Sequence, residues 1–197
     1  MPGDWRERRG VLKVLPLKSG DWPENVRGEP HRGRGFDEIY ATDFGFVWRC
    51  LRGLGVPPAG LDDAAQDVFL VVHRQLASFK GDSSVRTWLY GIARRVAFNH
   101  RRRTRRRQAP LEPLLTEPAD PGRGPEGNAE DAEAASFVGA FLATLDDKKR
   151  DVFILAVLEA MTIPEVAAAL SIPLNTAYTR LRRVRADFEQ ALGRRRP

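Results

Sequence analysis

The sequence predicts an all-α protein built from two small helical domains on a flexible acidic tether, and three observations lead there. Apolar residues recur every three to four positions from Phe36 to about Arg107 and again from Ala135 to Leu192, the period of one helical face. Between these blocks, Gln108 to Ala134 carries Pro110, Pro113, Pro118, Pro121 and Pro125 with acids among them, the composition of a proline-stiffened linker. Within the second block, two short helical patterns joined by a tight turn form a helix-turn-helix signature.

The first 35 residues are rich in Gly, Pro and charge without sustained periodicity and read as a disordered leader of unassigned role. In the first block, the aromatic stretch Phe36 to Leu54 is expected to be a buried helix, stopped by Gly53, Gly55, Pro57 and Pro58. A second helix is expected from Leu61 to Ser78. Its apolar face is Leu61, Ala65, Val68, Phe69, Val72, Leu76 and Phe79, and Asp62 and Asp63 meet the positive end of its dipole. After a polar break containing Gly81, Ser83 or Ser84 can cap a third helix. Val85, Leu89, Ile92, Ala93 and Val96 form its apolar side, whereas Thr87, Arg94, Phe98, Arg101 and Arg105 form the opposite one.

The second block begins with expected helices over Ala135 to Thr144 and Lys148 to Ala160. Thr162 followed by Glu165 is a capping box, and Pro164 fits the first turn, where backbone N–H groups have no helical partner. This starts a short helix from Ile163 to Leu170. After Ser171, Ile172 and Pro173, a last helix runs to about Leu192 with Leu174, Ala177, Leu181, Val184 and Phe188 on one face. Its opposite face carries Asn175, Thr176, Thr179, Arg182 and Arg183, with Arg180 and Arg185 at the flanks. Asn and Arg can read adenine and guanine by paired hydrogen bonds, and in this motif the start of the second helix enters the major groove. Ser171 stands where such turns favour glycine.

Charge supports a nucleic-acid partner. The chain of 197 residues has a formal net charge of +6 and its 42% hydrophobic content can build cores. From Arg94 to Arg107 there are eight arginines and no acid, whereas Gln108 to Ser136 holds seven acids and one base, Arg123. Such segregation gives the two stretches different electrostatic tasks, and the run RRRTRRR exceeds what capping a helix needs. Phosphate contact follows, with an affinity that falls steeply with salt.

Other classes are disfavoured. No apolar run approaches the roughly 18 residues of a membrane span. VLKVLPL near the start is broken by Lys13 and Pro16, unlike a signal peptide, so a cytoplasmic protein without membrane insertion is expected. Cys50, the one cysteine, sits among Phe46, Val47, Trp48 and Leu51 and reads as a small core residue. His31, His73 and His100 lack ligand spacing. Neither a nucleophile–base pair nor a phosphate-cradling glycine loop stands out, so no cofactor, metal or enzymatic reaction is expected. The linker acids are too dispersed for the metal-binding carboxylates of a nuclease.

The stretch DDAAQDVFLVVHRQLASFKGDSSVRTWLYGIARRVAFNHRRR, Asp62 to Arg103, resembles the second conserved region of bacterial extracytoplasmic-function (ECF) RNA polymerase sigma factors. Asp147 to Leu192, with TIPEVAAAL and IPLNTAYTRLRR, resembles their fourth region. The resemblance spans about three-quarters of the chain, and the order and separation of the motifs make it specific. It implies a factor that binds core polymerase, recognises promoter DNA and promotes its melting. Asp62, Asp63, Gln66, Asp67 and Phe69 would grip the beta-prime clamp, with the beta flap a further contact. Lys80, Gly81, Asp82, Ser83 and Ser84 match the loop that captures an unstacked base of the minus-ten element, with Thr87, Arg94, Phe98 and Arg101 beyond it. Trp88 and Tyr90 could stack on bases, although packing fits Trp88 better. The helix-turn-helix would read the minus-thirty-five element through Asn175, Thr176, Thr179, Arg180, Arg182 and Arg183. The linker would thread the polymerase, and an anti-sigma protein is one further partner class.

The sequence departs from the family at His73, where Trp is common, at Gly91 in mid-helix, and at Asn175 and Tyr178, where Gly and Lys are common. A stand-alone helix-turn-helix regulator acting without polymerase is the alternative; it would not need the block Asp62 to Arg103.

Overall fold

The computed structural model describes residues 34–107 and 129–194. The leader, apart from Arg34 and Gly35, and residues 108–128 of the linker lie outside the described residues. Seven α-helices make up the described chain: α1 (Phe36–Gly53), α2 (Leu61–Gln75), α3 (Val85–Arg107), α4 (Ala129–Thr144), α5 (Asp147–Phe153), α6 (Ile163–Leu170) and α7 (Leu174–Gly193). No strand occurs among the described residues.

The first three helices pack on one another through the faces their periodicity marks out. Ile39, Phe46, Val47, Cys50 and Leu51 of α1 meet Ala64, Ala65, Val68 and Val72 of α2 and Val85, Leu89, Ile92, Ala93 and Val96 of α3 in a common core. Burial pushes the Cys50 thiol well above its usual range, so it packs as an apolar group. Ser84 is the residue that caps α3, its hydroxyl accepting the Thr87 N–H at 3.1 Å. Asp43, only 3% exposed, ties α1 to α3 by accepting from Arg86 Nε at 3.2 Å.

In the second half, Phe141, Phe153 and Phe188 form a cluster joining α4, α5 and α7, with ring centroids 5.0–5.2 Å apart and Phe141 edge-on to the other two. Arg150 finishes α4 by donating to the carbonyls of Leu142 and Leu145 at 3.0 and 2.8 Å. Helix α4 starts at Ala129, inside the stretch expected to be linker. After Pro125 no proline follows there, and Ala129-Glu130-Asp131-Ala132-Glu133-Ala134 is mostly good helix former, so the helix extends backward. The helix expected to run to Ala160 is α only as far as Phe153. It widens into a π turn over Ile154–Leu158, and Ala160 then turns left-handed at φ 51°.

Thr162 forms the complete expected capping box with Glu165, and Ser171 closes α6 at φ 52°, ψ 48°. The left-handed region is therefore entered without glycine, at a cost of about 1 kcal/mol. Leu174, expected on the buried face of α7, is instead 45% exposed, while Ala177, Leu181, Val184 and Phe188 are buried as expected. It occupies the first helical position, before α7 comes under cover of α6.

The two halves lie against each other. Helix α3 packs on α6, and the end of α1 meets the π turn. A Cβ at Gly53 would stand 3.0 Å from Ile154 Cγ1 and Cδ1, so a larger residue there would have to push the Ile154 side chain aside. The buried apolar residues of both halves form one continuous cluster.

Candidate nucleic-acid interface

Polar pairs cross the contact between the halves and bear directly on the basic side of α3. Asp151 of α5, 3% exposed, accepts the Tyr90 hydroxyl at 2.8 Å and faces Arg94 Nε at 2.9 Å. Asp147 lies 3.5 Å from Arg101 Nη1. Glu159 takes Arg49 of α1 in a two-point grip at 2.8 and 2.7 Å. This grip raises the Arg49 guanidinium further above its usual range. Burial raises the Asp151 carboxyl above its ordinary value despite both cationic and hydrogen-bonding partners. Two arginines expected on DNA thus hold carboxylates of the other half.

The remaining basic face stays open. Arg95, Arg102 and Arg103 are exposed, and Phe98 stands among them 58% exposed. Two expectations for α3 need correction. Thr87 is 8% exposed, its hydroxyl accepting from Ser84 Oγ at 3.0 Å, because the capping serine folds over the first turn. Tyr90 is fully buried on Asp151 and cannot stack on bases here. Trp88 packs, as favoured, stacked on Phe79 at 4.6 Å.

Between Phe79 and α3, Lys80 and Asp82 are exposed and Ser83 and Ser84 are half-buried. Gly81 has φ 75°, a conformation that fits glycine. The loop therefore offers short hydroxyls and a bent backbone at the start of α3, the helix that carries the arginine face.

A separate groove opens between α1 and α2. Asp62, Gln66, Phe69, Leu70 and His73 line it from α2, and Phe36, Tyr40 and Phe44 from α1. Its rings interlock: Tyr40 lies 4.8 Å from Phe69, and Phe36 is edge-on to His73 at 5.1 Å. Phe69, expected as a contact residue, is 3% exposed and forms the floor. Asp67 faces away from the groove toward α3, where its carboxylate meets His100 Nε2 at 2.8 Å. Asp62 and Gln66 stand on the rim, and Asp63 is exposed nearby. Sequence reasoning missed Tyr40 and Leu70, 45% and 48% exposed. The available signal was Leu70 itself, a large aliphatic residue four positions after Gln66 on the polar side of α2.

On α7, Asn175, Thr179, Arg182 and Arg183 are exposed, and Thr176 and Arg180 are partly so. The six expected readers thus reach solvent on one end of one helix. The Thr179 hydroxyl donates to the Asn175 carbonyl at 2.8 Å, which leaves its lone pairs for a partner. Two exposed residues beside them were not among the expected readers: Leu174 and Tyr178, the latter 53% exposed.

No group of three or more His, Cys, Asp or Glu able to hold a metal occurs among the described residues. No helix among them is long and apolar enough to cross a membrane.

Known proteins resemble this chain over both halves. The family model for sigma-70 region 2 matches residues 39–107, and that for sigma-70 region 4 matches residues 138–188. The RNA polymerase sigma factor CnrH of Cupriavidus metallidurans is 28% identical over 167 residues, covering 81% of this chain and 87% of the relative. The RNA polymerase sigma-H factor of Pseudomonas aeruginosa is 30% identical, covering 66% of this chain and 72% of its own length. A solved structure of CnrH in complex with the cytosolic domain of CnrY superposes with a TM-score of 0.62 at 25% identity, covering 82% of this chain and 89% of that one.

Proposed function

The chain belongs to the ECF group of sigma-70-type RNA polymerase sigma factors, and from that membership we propose how its surfaces divide the work. As a sigma factor it binds core polymerase, recognises promoter DNA and promotes melting at initiation. Residues 36–107 form the unit for core polymerase and the minus-ten element. Residues 135–197 form the unit for the minus-thirty-five element, with residues 108–134 as tether and residues 1–35 as leader. The chain brings no reaction of its own, and it works in the cytoplasm, where the polymerase is.

The α1/α2 groove, rimmed by Asp62 and Gln66 with Tyr40 and Leu70 exposed beside them, is the surface for the beta-prime clamp. An apolar floor with a polar rim is the usual anatomy of a specific protein contact. Asp63 adds charge at its edge. Phe69 holds the floor, and Asp67 orients α3 through His100.

The loop of Lys80, Gly81, Asp82, Ser83 and Ser84 receives an unstacked base, with Phe98 as a stacking surface. Unpairing costs only a few kcal/mol per base, within reach of such contacts. Arg94 and Arg101 join Arg95, Arg102 and Arg103 on the backbone once Asp151 and Asp147 are exchanged for phosphates. The closed contact therefore opens on promoter binding. The 21 residues from 108 to 128 can span up to about 70 Å, so the halves can separate widely without breaking the chain. Asn175, Thr176, Thr179, Arg180, Arg182 and Arg183 then face the upstream element as duplex.

The observation that carries this reading is one chain bearing both an exposed recognition helix and a separate helix, α3, with a polar loop at its start and an arginine-and-aromatic face farther along. A stand-alone helix-turn-helix regulator needs only the former and does not account for a family match over residues 39–107. An anti-sigma protein is a further expected partner, since the related CnrH is solved bound to the cytosolic domain of CnrY.

Footprinting of the reconstituted holoenzyme on a promoter selected from a random library tests the division. Two separated protected stretches are expected, with unpaired thymines reactive to permanganate only in the downstream one. A single duplex footprint given equally well without polymerase would overturn it.

A further inference from the structure

The exposed surface at the start of α7 is polar except at Leu174 and Tyr178, 45% and 53% exposed. They are four residues apart, so they stack along one flank of the helix. By helical geometry that flank borders Asn175 and Arg182 and lies between them and the buried line Ala177, Leu181, Val184. Both fall within the first two turns, the part of a recognition helix that reaches base edges. Neither covers the core of its own half, and Arg182 beside them, with Arg180 and Arg183 farther round the same helix, suits a polyanion. An apolar strip along the edge of a polar, cationic reading face fits one feature of a duplex groove, the C5-methyl of thymine, which hydrogen-bonding side chains do not recognise.

We propose that Leu174 and Tyr178 form an apolar reader of thymine methyl groups, making Tyr178 a specificity-determining residue for the upstream promoter element. The inference rests on the reading of α7 as the minus-thirty-five helix and deepens it. The Tyr178 ring offers a broad face over a methyl, and Leu174 closes the contact from the preceding turn. Asn175 and Arg182 supply hydrogen bonds to neighbouring bases, so the strip selects thymine beside positions read by polar contacts. The phenol is dispensable in this arrangement and the ring is not.

The test uses full-length protein assembled with core polymerase. An upstream sequence is enriched from a random duplex library, and each of its thymines is replaced in turn by deoxyuridine, which removes the methyl and leaves base pairing unchanged. At one or two positions, affinity is expected to fall by roughly fourfold, the worth of one buried methyl. Tyr178→Phe is expected to keep this discrimination. Tyr178→Asn is expected to bind thymine and deoxyuridine duplexes equally, with an unchanged circular dichroism spectrum and melting temperature. Indifference of the wild-type holoenzyme to deoxyuridine at every position overturns the inference while leaving the promoter reading intact. So does a Tyr178→Asn holoenzyme that still discriminates. Failure to enrich any upstream sequence overturns both.

Discussion

The Tyr90 hydroxyl donates to Asp151 across 2.8 Å, joining α3 to α5 where both side chains are buried. The bond lies on the contact between the halves, beside Arg94 on the same carboxylate. A buried carboxylate with two donors is stable only while both remain, since an orphaned buried polar group costs about 1–3 kcal/mol. Tyr90→Phe should therefore destabilise the protein by about 1–2 kcal/mol in urea unfolding, the loss of one donor to a buried acceptor. A variant as stable as wild type would show that the bond adds nothing.

Asp151 also sets a pH dependence. Burial holds its carboxyl above the ordinary value of 3.8, so the folded protein takes up a proton there at higher pH than the unfolded chain. Stability from this site is lowest at neutral pH, rises as pH falls through the raised value, and is fully gained below 3.8. The stability of wild type relative to Asp151→Asn, which cannot titrate, should accordingly increase as pH falls. Paired urea melts across the acid range measure it, and a relative decrease would contradict the assignment.

The α1/α2 groove predicts a variant that separates binding from folding. Gln66 and Leu70 are exposed on its α2 side. Gln66→Ala with Leu70→Ala should weaken core-polymerase binding by about tenfold or more, as for a central interface contact. Its melting temperature should stay within a few degrees of wild type. Competition against a labelled sigma factor for core reads the affinity. Phe69→Ala is a poorer probe, because Phe69 is the floor and its loss would unsettle both helices.

Salt dependence tests the arginine face. Arg102 and Arg103 are exposed beyond the contact between the halves. Arg102→Ala with Arg103→Ala should lower the slope of log affinity against log salt by about two for promoter binding by the holoenzyme. Unchanged slope would remove these side chains from the phosphates.

Much of this architecture was legible in the residues. The period of Leu61, Ala65, Val68 and Val72 fixes the buried face of α2, and Thr162 with Glu165 marks the start of α6, because both signals are local. Local patterning does not reveal what covers a polar atom from far along the chain. Tyr90 reads as a possible stacking ring until Asp151, 61 residues on, is seen to hold its hydroxyl. Arg94 and Arg101 likewise read as free cations until α5 supplies their carboxylates. Helical period also misleads at ends: Thr87 lies under its own cap, and Leu174 precedes the cover of α6. For Phe69, hydrophobicity alone cannot tell a groove floor from a contact.

The most direct measurement is initiation in a purified system: core polymerase alone, the chain alone, and both together, on a library of promoters. The combination is expected to yield transcripts starting at a defined set of promoters, with neither component sufficient and the chain by itself holding duplex DNA weakly. A chain that binds duplex sites tightly without polymerase and leaves core transcription unchanged would contradict the account.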